Sequence, residues 1–225
     1  MPGRKIPLVT GQIYHVLNRG ISGQTTFVNK RDYNWAFEIL RYYQNIKAPL
    51  RYSVFLTLAN DKRKKILENL AKEKKFLVEI IAYCFMPNHF HFLLKQLEED
   101  GISRFMRFWA DSYTRYFNVK YKRNGPLFQG RFKAIRVESD NQLIHLSRYI
   151  HLNPFSSFVV KSLSGLEVYP YSSFLEFLGK TQSSVCAKEI VLCQFKNAES
   201  YKNFVFDQAN YQRELERIKH LLLET

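Results

Sequence analysis

Apolar and polar positions change rhythm several times along the chain, and each rhythm predicts an element. Ile13-Tyr14-His15-Val16-Leu17 has strand character and meets a turn at Asn18-Arg19-Gly20. Helical spacing of Trp35, Ile39, Leu40 and Tyr43 predicts a helix capped by Asp32 and running to about Asn45. Residues 51–58 are aromatic and β-branched without a clean period, so their state is left open. Residues 61–75 read as a charged helix with a narrow stripe of Ile66, Leu67, Leu70 and Ala71. Two short apolar strands, 77–85 and 89–94, flank Met86-Pro87-Asn88. The clearest helix is 103–120, where Ile102, Phe105, Met106, Trp109, Tyr113, Tyr116 and Phe117 form one stripe and the charges fall elsewhere. A basic loop (121–130) leads to a strand at 132–137. Ser139, with Gln142 three residues on, opens a helix expected to stop at Asn153, because Pro154 cannot continue it. Past Tyr169-Pro170-Tyr171, helices are predicted at 199–206 and 211–223, and no repeat is visible.

Composition adds a partner to this mixed pattern. The 225 residues are 46% hydrophobic and 16% aromatic, enough for a packed core and against wholesale disorder. The 34 Lys and Arg outnumber the 20 Asp and Glu, for a net charge of +14, which draws a polyanion: nucleic acid first, an anionic membrane surface second. No basic helix with a long apolar face supports the membrane alternative. The charge is concentrated: residues 101–136 hold nine cations against Asp111 alone, whereas from Thr181 onward six cations meet six acids. A phosphate-binding surface is therefore expected in the middle of the chain and a structural role for the tail. Three cysteines without C-x-x-C spacing argue against a disulfide framework or a cysteine zinc site. With no apolar run of roughly 20 residues and no leader pattern, a cytoplasmic, nucleoid-associated protein is expected.

Three groups could carry chemistry. On a strand, His89 and His91 project to one face while Phe90, Phe92 and Leu94 project to the other, and two neutral imidazoles make half of a divalent-metal site. Two histidines hydrogen-bonded at a sheet edge are the plainer reading of H-x-H alone. On the helix after Ser139, positions 145, 149 and 153 align His145, Tyr149 and Asn153 on one face. Taken singly, a core tyrosine and a helix-ending asparagine are the plainer readings there too. The third group is the basic region, interleaved with Tyr116, Phe117, Tyr121, Phe128 and Phe132, where cations could neutralise phosphates while rings stack unpaired bases.

Together these strings resemble a known family. Tyr14-His15-Val16-Leu17-Asn18-Arg19-Gly20, Ala82-Tyr83-Cys84-Phe85-Met86-Pro87-Asn88-His89-Phe90-His91, Gly125-Pro126-Leu127-Phe128-Gln129-Gly130-Arg131 and Arg148-Tyr149-Ile150-His151-Leu152-Asn153-Pro154 are similar to IS200-like (Y1, HUH-type) transposases, in particular the branch of REP-associated tyrosine transposases. The resemblance spans roughly residues 13–174. It implies an α+β, ferredoxin-like fold with a central antiparallel sheet carrying the H-x-H strand, a nuclease domain over 1–165 and a helical extension over 166–225. Residues 47–75 stand out as an insertion. It further implies metal binding by His89, His91 and Asn153, with Mg²⁺ or Mn²⁺ as the ion, and Tyr149 as nucleophile. The substrate implied is single-stranded hairpin DNA, cut and rejoined through a 5′-phosphotyrosine.

His145 departs from the acidic or neutral residue expected at its position and is a candidate to orient or deprotonate the phenol. The expected DNA contacts are Arg19, Arg104, Arg107, Arg115, Lys120, Lys122, Arg123, Arg131, Lys133 and Arg136. A homodimer is a further expectation, and no membrane partner is expected. Rival readings are a domesticated DNA- or RNA-binding protein on the same fold, and a metal-dependent phosphodiesterase that uses water.

Overall fold

A computed structural model describes residues 7–181 and 185–223, with side chains as far as Glu216. As far as Ser156 the chain reads β1 (Ile13–Arg19), α1 (Lys30–Tyr43), α2 (Tyr52–Thr57), α3 (Asn60–Glu73), β2 (Val78–Met86), β3 (His89–Gln96), α4 (Gly101–Lys120), β4 (Lys133–Arg136) and α5 (Asp140–Ser156). The strands form one antiparallel sheet in the order β2-β3-β1-β4, which is the ferredoxin-like arrangement with α2 and α3 added between α1 and β2. Residues 51–58, left open from sequence, are thus mostly a short helix.

Alternation along β3 divides the molecule. Phe90 and Phe92 are fully buried and meet Trp109 of α4, with ring centroids 4.7 and 5.2 Å away. The Trp109 indole N–H donates to the Ala36 carbonyl at 3.0 Å, locking α4 to α1 on that face of the sheet. The opposite face is covered by α5, which packs across β2 and β3.

Two boundary expectations need correction. Asn29, rather than Asp32, caps α1: its side chain accepts from the Arg31 amide, while the Asp32 carboxylate reaches back to the Val28 and Asn29 amides. Asp32 sits one turn inside, where a carboxylate closes a capping box instead of starting it. It is wholly buried, with Lys120 Nζ at 2.5 Å and the hydroxyls of Tyr116 and Tyr121 at 2.8 and 2.7 Å. Burial opposes its charge, but Lys120 and the two hydroxyls more than offset this and hold the carboxyl below the ordinary range. The second correction is at α5, which passes Pro154 and ends at Ser156. Proline falls in the last turn, where it removes one donor, and the Ser157 amide still closes onto the Asn153 carbonyl at 2.9 Å.

After α5 come α6 (Leu163–Leu166), α7 (Phe174–Phe177), α8 (Glu189–Leu192), α9 (Ala198–Asp207) and α10 (Ala209–Leu223). They continue the core: α9 and α10 pack on α5, and the outer edge of β2 is met by the following chain, with Phe85 N–H on Tyr171 O at 2.9 Å and Ala187 N–H on Ile80 O at 2.8 Å. At the centre of this packing lies His151, fully buried, with Nδ1 2.7 Å from Tyr201 Oη and Nε2 2.8 Å from Ser173 Oγ. Cys84, Cys186 and Cys193 are free thiols. No described helix is long and apolar enough to cross a membrane.

Candidate active site

The α5 side of the sheet gathers residues from distant parts of the chain. The rings of His89 and His91 meet edge-on at 5.0 Å, and the Tyr149 ring stands 5.5 Å from that of His91. One turn further along α5, Asn153 donates to the Tyr149 carbonyl at 2.9 Å, and its side chain lies close enough to His89 to act on that ring's titration. His89, His91, Tyr149 and Asn153 therefore lie together on this side of the sheet. Two elements provide them: strand alternation supplies both imidazoles, and the helical repeat stacks the phenol above the amide.

Three further residues complete the setting. His15 of β1 places Nε2 2.9 Å from His91 Nδ1, stacks on that ring at 5.1 Å and lies 6.1 Å from the Tyr149 ring. Asn88, in the turn before β3, holds His89 Nδ1 through its Oδ1 at 2.6 Å. Gln212 of α10 donates to the Tyr149 carbonyl at 3.2 Å, tying the last helix to the helix that carries the phenol. His15 was visible as a histidine in an apolar strand, but its partnership with His91 depends on sheet pairing 76 residues apart.

Burial pushes the pKa of His15 down to about 4. It does the same to His89, also to about 4, where Arg19 adds to the effect and Glu216 and Asn153 oppose it. At neutral pH these rings are uncharged and keep a lone pair for an ion. The donor chemistry fits a divalent cation. The Asn88 oxygen can only accept, so Nδ1 of His89 carries the N–H and Nε2 is the nitrogen it would offer. His91 has Nδ1 engaged by His15, which makes Nε2 the nitrogen it would offer. Among the described residues no group of three His, Cys, Asp or Glu side chains is arranged to hold a metal, and the carboxamide of Asn153 is the oxygen that would complete a set with the two imidazoles. Two nitrogens and one oxygen suit Mn²⁺ or Zn²⁺ on donor grounds, and Mg²⁺ only when several waters are retained.

His145 is exposed and turned towards α9: its Nδ1 is 2.6 Å from Arg148 Nη2 and its ring 5.6 Å from that of Phe204.

The cations expected to meet phosphate fall into distinct settings. Arg19, Arg107, Arg115, Lys122, Arg131, Lys133 and Arg136 are exposed, and Arg104 and Arg123 are half-buried. Arg123 donates to Pro126 O, and Arg136 to Gln12 Oε1. Lys120 differs, because its ammonium is committed to the Asp32 carboxylate. The basic loop docks beside the histidines: Gln129 N–H bonds Arg19 O at 2.8 Å, Ile21 N–H bonds Leu127 O at 3.1 Å, and Arg19 is the register partner of His89. Gly20 permits the tight turn after β1, since a Cβ there would stand 2.3 Å from Gln24 O.

Residues 40–153 match the family model described as transposase IS200 like. The chain belongs to the IS200-like transposase family. Its fold is similar to that of a REP-associated tyrosine transposase solved in complex with a REP hairpin, with a TM-score of 0.54 and 16% identity over 82% of this chain and 90% of that one. No curated protein sequence matches the chain. For an IS200-like transposase, then, the conspicuous residues lie on both sides of the sheet: histidines, tyrosine and asparagine towards α5, and most of the α4 arginines towards solvent on the other side.

Proposed function

We propose that this transposase cleaves and rejoins single-stranded DNA with Tyr149 as the nucleophile and His89, His91 and Asn153 as the ligands of a divalent ion. The observation that carries this reading is the Tyr149 ring 5.5 Å from His91, on the same helix face as Asn153 and on the same side of the sheet as His89. A bound divalent ion would polarise the scissile phosphate and stabilise charge gained in the transition state.

The chain's own residues supply the rest. Tyr149 Oη forms a bond to phosphorus as the bond from phosphorus to the 3′ oxygen breaks, leaving a 5′-phosphotyrosine and a free 3′-hydroxyl. The phenolic proton is lost and the departing 3′ oxygen gains one, so no net proton or electron is consumed. Because one phosphodiester replaces another, rejoining needs no nucleoside triphosphate. Asn153 and Gln212 fix the backbone under Tyr149, and Asn88 and His15 fix the two imidazole planes. Exposed cations of the basic loop, with Arg19, would hold the strand's phosphates. That the related REP-associated transposase was solved with a hairpin supports hairpin DNA as the partner here.

The test is a denaturing gel of protein mixed with end-labelled hairpin DNA and Mn²⁺. A labelled protein band that vanishes in Tyr149→Phe is the expected result. No band with wild-type protein, or an undiminished band with Tyr149→Phe, would overturn the proposal.

A further inference from the structure

On the far side of the sheet from the histidines, a groove of about 740 Å³ opens between α1, residues 48–53 and α4. One wall therefore comes from the stretch that the sequence marked as an insertion. Arg31, Arg51, Arg107 and Arg115 line the groove, and Asp111 is its one carboxylate. Lys120 also reaches it, but its charge is matched by Asp32. Among the described residues none of these four arginines forms an ion pair.

Aromatic surface lies between the charges. Phe108 is 37% exposed on the solvent side of α4, and the Arg107 guanidinium stands 5.1 Å from its ring centroid. Trp35 and Tyr116 stack at 4.4 Å with planes 10° apart, forming a flat aromatic wall. Like charges crowded into one concave site repel each other, and an anion relieves that repulsion. A ligand with both phosphate and a π-face matches cations and rings together, and unpaired nucleotides are that chemistry. A paired duplex presents phosphates but keeps its base faces stacked. Arg115 also lines a shallower groove on the other flank of α4, together with Lys122 and Arg123, so the cationic surface continues towards the basic loop docked beside Arg19.

We propose that this groove seats an unpaired stretch of the bound DNA strand away from the cleaved bond, with phosphates on Arg51, Arg107 and Arg115 and a base against Phe108. The inference rests on single-stranded DNA being the substrate, as argued above, but uses none of the residues assigned to cleavage.

The experiment measures binding of a short fluorescent oligothymidylate, which has no hairpin, across a salt series. Replacing Arg51, Arg107 and Arg115 together by Ala should flatten the slope of log affinity against log salt by about two, at about 0.7 per lost phosphate contact. Phe108→Ala should weaken binding about tenfold and leave that slope unchanged, because stacking releases no counterions. Photocrosslinking wild-type protein to an iodouracil-substituted oligonucleotide should label peptides holding Trp35 or Phe108, a readout that does not depend on a variant's folding. Unaltered slope and affinity in the folded variants, or crosslinks confined to other peptides, would overturn the proposal, and tighter binding of oligouridylate would overturn its assignment to DNA. Adduct formation on hairpin DNA by wild-type protein tests the cleavage reading separately. Binding through the groove without any adduct would sink cleavage alone, and adduct formation with indifferent groove variants would sink the groove alone.

Discussion

The two faces of β3 make an instructive contrast. Phe90 and Phe92 point to one side and disappear among Trp109 and its neighbours, whereas His89 and His91 point to the other and meet Tyr149, Asn153 and His15. One face holds large apolar side chains with no hydrogen-bonding obligations. The other holds buried polar rings whose every nitrogen needs an oxygen, a second ring or a cation. Four consecutive residues thus divide the aromatic core from the proposed site by parity alone, and substitutions should separate the two as cleanly as the strand does.

The largest effect is expected at Tyr149. Tyr149→Phe removes one oxygen and keeps the ring, so covalent adduct should fall to background on a denaturing gel while the melting temperature stays at the wild-type value. Next comes the pair of histidines: His89→Ala with His91→Ala should abolish calorimetrically measured Mn²⁺ binding and cleavage, yet weaken DNA binding only modestly. A double variant with normal Mn²⁺ affinity would move the ion elsewhere. Across the strand, Phe92→Ala should show the converse, losing about 3–5 kcal/mol in urea unfolding with Mn²⁺ affinity retained by the folded protein.

An effect confined to acid pH follows from His151. Burial pushes its pKa down to about 3, against about 6.5 in an unfolded chain. The unfolded state therefore takes the proton first as pH falls. The stability linked to this group is complete above about pH 6.5 and is lost towards pH 3, at about 1.4 kcal/mol per pH unit. His151→Asn should give a shallower acid limb when urea unfolding is followed against pH, and an unchanged limb would mean that other groups set it. The smallest effect belongs to the basic loop. Replacing Lys122, Arg123 and Arg131 by Ala should flatten the salt dependence of DNA binding by about two, at about 0.7 per contact. An unchanged slope would take the strand off the loop.

What was legible in the sequence follows the range of the forces involved. Alternation in His89-Phe90-His91-Phe92 and the four-residue spacing of Tyr149 and Asn153 are local patterns, and both faces could be assigned from them before any fold was known. The partnership of His15 with His91 could not, because it depends on which strands pair. Nor could the commitment of Lys120 to Asp32, 88 residues away, which removes one cation from the expected DNA surface. The short helices α7 and α8 escaped notice because four residues make barely one turn and leave no period to read. Pro154 misled for a different reason. A helix that is already ending tolerates one missing donor, so proline there marks the last turn rather than the boundary. The grouping of Arg51 with Arg107 and Arg115 was equally hidden, since their groove exists only once α1 and α4 are side by side.

The parity of β3 also bears on how this gene can change over generations. Met86 pairs with His89 across the two-residue turn Pro87-Asn88, and the register runs without a shift from there to the pairing of Ala82 with Leu93. A one-residue slip of β3 against its neighbours would reverse the facing of its side chains, driving imidazoles into the aromatic layer under α4 and phenyl rings against Tyr149. Both faces would fail in one step, even though no residue had been exchanged for another. Between α1 and β2, by contrast, codons can be gained or lost without touching the parity of any strand, and that is where this chain carries α2 and α3. Packing therefore constrains the hairpin's register as tightly as its histidines, while the connection before it can lengthen without altering the facing of any strand.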